Sequence, residues 1–121
     1  MIKGDNMMNE AIQTLLENIK ADYADWARRS AAAQGEAEVS GYMKDQLDRW
    51  DELMTVKQGS KYIKILRENS VWGFVVNTEN DKLFKFGDIL MAAGWAAPAR
   101  NKARGNVFEE YDVRWTGPNY L

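Results

Sequence analysis

The chain has 121 residues, 45% hydrophobic and 28% charged with a net charge of −2, which is the balance of one soluble globular domain. It contains no Cys and no His, which excludes disulfides, Cys/His zinc sites, Cys nucleophiles and Ser-His triads, so we expect a protein that is not an enzyme and has no catalytic residue, metal or cofactor. No apolar run approaches a membrane span and no signal-peptide core is visible, so we expect a cytoplasmic protein with no membrane partner.

Residues 1–54 carry the apolar spacing of two amphipathic helices. The first stripe consists of Met8, Ile12, Leu15, Ile19, Tyr23 and Trp26. We expect Asp5 or Asn6 to cap this helix and Gly35 to end it. The second stripe consists of Val39, Met43, Leu47, Trp50 and Met54, and it predicts one helix that starts at Ser40.

Residues 55–121 change to the period of two that is typical of strands. The predicted strands cover residues 61–67, 71–76, 82–86, 89–91, 107–108 and 111–115. Helices come first and strands follow with tight turns between them, which indicates an α+β fold. We predict a single domain over residues 1–121, with two N-terminal helices packed on a small curled antiparallel sheet of four to five strands. Its helical part is 1–54 and its β-rich part is 55–121.

The charges are unevenly distributed along the chain. Residues 1–54 hold six Lys/Arg and eleven Asp/Glu, a net charge of −5, whereas residues 57–104 hold nine Lys/Arg and four Asp/Glu, a net charge of +5. A basic middle segment of this kind favours an acidic or phosphate-bearing ligand.

The loop at residues 94–106 is the predicted binding segment. Arg100, Lys102 and Arg104 alternate, so in an extended chain all three would point to one side and could hold phosphates. Trp95 would stack on a base, and Asn101 would supply a directional hydrogen bond. Further cations would extend the patch if their strand is adjacent, namely Lys57, Lys61, Lys64 and Arg67.

Two ordinary interpretations stand beside this one. The loop is also consistent with a structural brace, or with a solvated segment whose arginines pair with Glu109, Glu110 and Asp112. The acidic run on the second helix, Asp45, Asp48, Asp51 and Glu52, is either a partner-binding face or a water-facing side.

The motifs KYIKI, SVWGFVV, GDIL, GWAAPARNKARGN and WTG resemble a family of small proteins encoded by tailed bacteriophages. They lie at residues 61–65, 70–76, 87–90, 94–106 and 115–117. The resemblance covers roughly the second half of the chain and implies a viral accessory protein that works in the cytoplasm of an infected bacterium. It makes residues 94–106 the signature segment of the family, and it brings no activity with it.

Two functional hypotheses follow from the sequence. The first is a non-catalytic binding module that contacts nucleic acid, or another phosphate-bearing ligand, through the basic loop. The second is a protein-interaction module that inhibits or retargets a host enzyme, with the acidic helix or exposed aromatic residues as its contact surface.

Overall fold

The structure, a computed structural model, describes the backbone of residues 3–118 and the side chains of residues 7–118. The elements in chain order are α1 Lys3–Ala33, α2 Gly41–Asp48, α3 Trp50–Leu53, β1 Met54–Gln58, β2 Tyr62–Arg67, β3 Ser70–Val76, β4 Ile89–Leu90, β5 Val113–Arg114 and β6 Gly117–Pro118. The predicted α+β class is therefore confirmed. No helix within residues 3–118 combines the length and the apolar character needed to cross a membrane.

Helix α1 is longer than its apolar stripe alone predicts. It begins at Lys3, so the expectation that Asp5 or Asn6 caps it is wrong, because both residues lie inside the helix. At the other end, the Gly35 and Glu36 amides donate to the Ala32 and Ala31 carbonyls, at 3.0 and 2.9 Å. Gly35 has a φ of +79°, the left-handed conformation that closes many helices.

The prediction of a single second helix is also wrong. The chain forms two short helices, α2 and α3, which are separated at Arg49 with φ −105° and ψ 11°. The Arg49 carbonyl accepts from the amides of Glu52 and Leu53, so a new helical turn starts there. Met54, the last residue of the predicted stripe, begins strand β1. The break allows Trp50 to be buried, with 1% of its surface exposed.

The main sheet is an antiparallel meander with strand order β1-β2-β3-β4. Predicted strands 61–67 and 71–76 correspond to β2 and β3, and the register shifts between Ile65 and Leu66. Strands β5 and β6 form a separate two-stranded pair. The strands predicted at 82–86 and 107–108 are wrong, because both segments are turns and irregular loops that run beside β4.

Both faces of the main sheet are covered, at least in part. The inner face packs on α1 through its buried stripe, which includes Met8, Ile12, Leu15, Ile19 and Tyr23. The outer face carries a smaller buried cluster of Phe74, Val76, Phe84 and Leu90. Phe84 belongs to the long connection between β3 and β4, so this connection and the basic segment that follows β4 form the second layer.

Candidate functional site

The segment at residues 98–107 is anchored to the sheet and is not a free loop. The Ala99 amide donates to the Met91 carbonyl at 2.7 Å, and the Arg104 amide donates to the Ile89 carbonyl at the same distance. The Ile89 amide in turn donates to the Gly105 carbonyl at 2.8 Å. These bonds cover the far side of β4, so this part of the segment braces the fold.

Arg100 is held in a clamp with Asp81. Its Nη1 and Nη2 atoms donate to the two carboxylate oxygens of Asp81 at 3.0 and 2.9 Å, and Nη1 also donates to the Tyr62 hydroxyl. The Asp81 side chain is only 1% exposed, and its Oδ1 also accepts from the amides of Leu83 and Phe84. The Arg100 guanidinium, followed by the Leu83 amide, holds the pKa of the Asp81 carboxyl well below its usual range.

This clamp shows that Arg100 does not pair with the downstream acids, contrary to one interpretation of the sequence. The arginine expected to pair with downstream acids pairs instead with Asp81, which precedes it by 19 residues. Among the downstream acids, Glu109 contacts Lys85 at 2.8 Å and Asp112 contacts Arg114 at 3.7 Å. Arg100 thus has a structural task in addition to any contact with a ligand.

Arg104 does not share an exposed edge with Arg100 and Lys102, so that geometric prediction is wrong. Its side chain is 3% exposed, whereas Lys102 and Asn101 are exposed. The segment is not a regular extended strand, and the alternation of side chains therefore does not hold. Asn101 uses its Oδ1 atom to accept from the Lys102 amide at 2.9 Å, a local turn contact.

The tip of the loop, residues 93–97, projects from this anchored base. The Ala93 amide donates to the Ala97 carbonyl at 3.0 Å, which closes a tight turn. Trp95 at the tip is 55% exposed, and the Lys64 Nζ lies 3.8 Å from the centroid of its ring. An exposed indole beside a lysine is the pair that base stacking and phosphate contact require.

Next to this pair is a surface pocket of about 540 Å³. It is lined by Ser60, Lys61, Thr78, Asn80, Asp81, Lys82 and Arg100. Its only carboxylate among the described residues is that of Asp81, which is already bonded to Arg100. Tyr62, which accepts from Arg100 of the pocket, and Lys64, which contacts Trp95, are two residues apart in β2, so both contacts are made on one face of this strand.

The hairpin register brings Lys57 to the same surface. Lys57 in β1 is directly opposite Lys64 in β2, and opposite residues of an antiparallel pair project to the same face. We call Lys57, Lys61, Lys64, Lys82 and Trp95 the outer basic face. Within residues 7–118, none of its four lysines has a carboxylate oxygen within 4.0 Å, in contrast to the paired Lys44 and Lys85.

The structure thus brings together part of the predicted site and adds to it. Lys61 and Arg100 share the pocket, and Lys64 contacts Trp95. Sequence reasoning did not single out Lys82 and considered Lys57 only as an extension of the patch. Tyr62 is opposite Val76 in the β2–β3 hairpin, which places Lys61 near the turn at residues 78–82. Pairing the two predicted strands in this register would have predicted that proximity from the sequence.

No group of three acidic side chains in the described part of the chain converges as ligands for a metal ion. Comparisons with models of protein families, with curated proteins and with solved structures find no match to this chain.

Proposed function

We propose that this protein is a non-catalytic binding module that holds single-stranded nucleic acid on its outer basic face. The observation that carries the proposal is the concentration of four lysines without carboxylate partners around an exposed tryptophan. Lysines attract the phosphate backbone, and Trp95 offers a stacking platform that every unpaired base can use. Bases in a duplex are already stacked, which is why the proposal favours single strands.

In this proposal the residues have distinct tasks. Lys57 and Lys64 contact phosphates beside the base that stacks on Trp95. A neighbouring phosphate occupies the pocket, where Lys61 and Lys82 provide charge. Arg100 holds the pocket wall through Asp81, and Lys102 and Asn101 adjoin it along the chain. Consistent with the resemblance noted in the sequence, we propose that the protein is a phage accessory factor acting in the bacterial cytoplasm.

The test is fluorescence anisotropy with labelled oligo(dT) and oligo(U) and with a duplex of the same length. Four phosphate contacts predict a slope of log K against log salt of about −2.8 for single strands, so affinity should fall ~50-fold between about 50 and about 200 mM NaCl. Trp95→Ala should weaken binding by ~5- to 150-fold, because stacking on one base is worth about 1–3 kcal/mol, and should leave the salt slope unchanged.

The double variant Lys57→Ala/Lys64→Ala should instead reduce the slope by about 1.4. Matched controls are Tyr42→Ala, an exposed aromatic on α2, and Lys44→Ala, an exposed lysine that is paired with Asp48. Both controls should bind as the wild type does. Absence of binding at low salt, or equal losses in the site variants and the controls, would rule out the proposal.

A second candidate is the protein-interaction module that acts on a host enzyme. The observation that favours it is an apolar pocket of about 450 Å³ between the end of α1 and α2, whose lining includes Ala32, Ala37, Val39 and Leu47. Tyr42, on the same helix α2, is 69% exposed. A host protein captured from nuclease-treated lysate should be lost with Leu47→Glu and retained with Trp95→Ala, whereas the opposite pattern would contradict this assignment.

A further inference from the structure

Strand β1 is the open edge of the main sheet. Its residues pair with β2 on one side, and no strand in the described part of the chain pairs with the other side. The far side of β4, at the opposite end of the sheet, is closed by the backbone bonds of residues 99–105. An open edge presents free N–H and C=O groups, which form a template for another strand.

A groove runs along this edge between β1 and helix α1. It encloses a pocket of about 480 Å³ whose apolar walls are Leu16 of α1, Trp50 of α3, and Met54 and Val56 of β1. Side chains alternate along a strand, so Met54 and Val56 point towards α1, whereas Lys57 points to the opposite side as part of the outer basic face. The hydrogen bond from Gln58 Nε2 to Asn9 Oδ1, 3.3 Å long, bridges α1 and β1 at the end of the strand.

The lining of the groove also carries charged side chains. Glu17 and Asp51 contribute two carboxylates to its rim, against one cation from Lys20. No salt bridge joins these three side chains to one another within the described chain. The rim therefore favours a cationic occupant.

We infer that this groove binds an extended peptide segment of a partner protein, which adds to β1 as a further strand. The five residues of β1 span ~17 Å, the length of about five peptide residues. Main-chain bonds to β1 hold the peptide, and side chains on one of its faces enter the groove. Its groove-facing side chains, which are every second residue, include apolar residues that contact Leu16 and Val56 and a Lys or Arg near the Glu17 and Asp51 carboxylates. This site is separate from the outer basic face and does not depend on the nucleic-acid proposal.

The test uses a panel of capped, fluorescein-labelled hexapeptides in which every second position carries an apolar residue (Val, Leu or Ile) or a basic one (Lys or Arg), with at least one of each, and the remaining positions carry Thr. Two matched panels replace the basic residues with Asp or Glu, or insert a central Pro that cannot join a strand. The full-length protein should bind members of the basic panel. It should bind the corresponding members of the other two panels at least tenfold more weakly. Hydrogen exchange should show new protection at Thr55–Gln58 amides when a basic peptide binds, which is the readout specific to strand addition.

Two variants locate the contact. Leu16→Glu should weaken binding at least tenfold by placing a charge on the apolar wall. Glu17→Lys, an exposed substitution that leaves the core untouched, should weaken binding of the basic panel several-fold, whereas Glu10→Lys on the exposed surface of α1 should have no effect.

Three results would overturn the inference. The first is that no peptide of the basic panel binds. The second is that peptides bind without protecting β1 or with indifference to Glu17→Lys. The third is a concentration-dependent dimer whose β1 amides are protected without peptide, since a second copy of the chain would then occupy this edge.

Discussion

Asn106 is the residue whose removal should most clearly distinguish bracing from binding in the segment at residues 94–106. Its side chain is 4% exposed and makes three hydrogen bonds: Nδ2 donates to the Phe86 carbonyl and to Asp88 Oδ1, both at 2.9 Å, and Oδ1 accepts from the Phe108 amide at 2.8 Å. Asn106→Ala removes all three and leaves their partners in a buried setting. At ~1 kcal/mol for each bond, the free energy of unfolding should fall by about 3 kcal/mol.

That loss corresponds to a large thermal shift. With an unfolding entropy of ~2.1 cal/mol/K per residue, a chain of 121 residues should lose about 12 °C in Tm. Thermal and urea unfolding of the purified variant measure this directly.

The matched control is Asn101→Ala, five residues upstream in the same segment. The Asn101 side chain is exposed and bonds only the neighbouring Lys102 amide among the contacts described, so its loss should cost less than about 0.5 kcal/mol. If Asn106→Ala melts within about 2 °C of the wild type, or if the two variants melt alike, the reasoning that residues 98–107 brace the sheet is refuted.

Two further predictions concern the same layer of the fold. Because the pKa of Asp81 is depressed by Arg100, its contribution to stability is fully present above about pH 4, the range of a free carboxyl, and should be lost progressively as the pH falls below that value. Urea unfolding across this range should show a shallower acid loss for Asp81→Asn than for the wild type, and equal slopes would contradict the assignment. Gly87→Ala should destabilise the fold by about 1–3 kcal/mol, because φ is +90° and a Cβ would lie 2.7 Å from the Phe108 ring. Gly94→Ala, where nothing lies within 4 Å of the added carbon, is its control and should change stability by less than about 0.5 kcal/mol.

The segment at residues 93–107 consists of an anchored base and a projecting tip. Residues 98–107 are bonded to β4 and to the connection between β3 and β4. Arg104 and Asn106 are buried in this base, whereas Arg100 is exposed and pairs with the buried carboxylate of Asp81. Residues 93–97 project from this base and carry the exposed Trp95. In the proposed binding role, an anchored base beneath the aromatic tip reduces the entropy that is lost when a ligand orders the loop. This arrangement explains why variants of the base should mainly change stability and variants of the tip should mainly change binding.

Local periodicity determined the elements that the sequence predicted correctly. The stripe of helix α1 repeats every three to four residues, and five of its six members are buried as expected; the exception, Trp26, is 37% exposed. The β-branched and aromatic run in β3 and the alternation in β2 likewise identified central strands. In these segments the local pattern and the burial required by the fold agree, which is why a single sequence was sufficient for the α+β class.

Only the tertiary structure decided the features that depend on partners far apart in the chain. The 3.6-residue period continues through Arg49, yet the helix breaks there and Met54 joins the sheet. The partner of Arg100 is 19 residues upstream, and the alternation of Arg100, Lys102 and Arg104 cannot reveal that Arg104 is buried. The groove beside β1 arises from a helix and a strand whose facing residues, such as Leu16 and Val56, are separated by 40 positions. The periodicity of a sequence predicts which side of a helix or strand is apolar. Only long-range packing determines which element contacts that side and which charged side chains have no ion-pair partner.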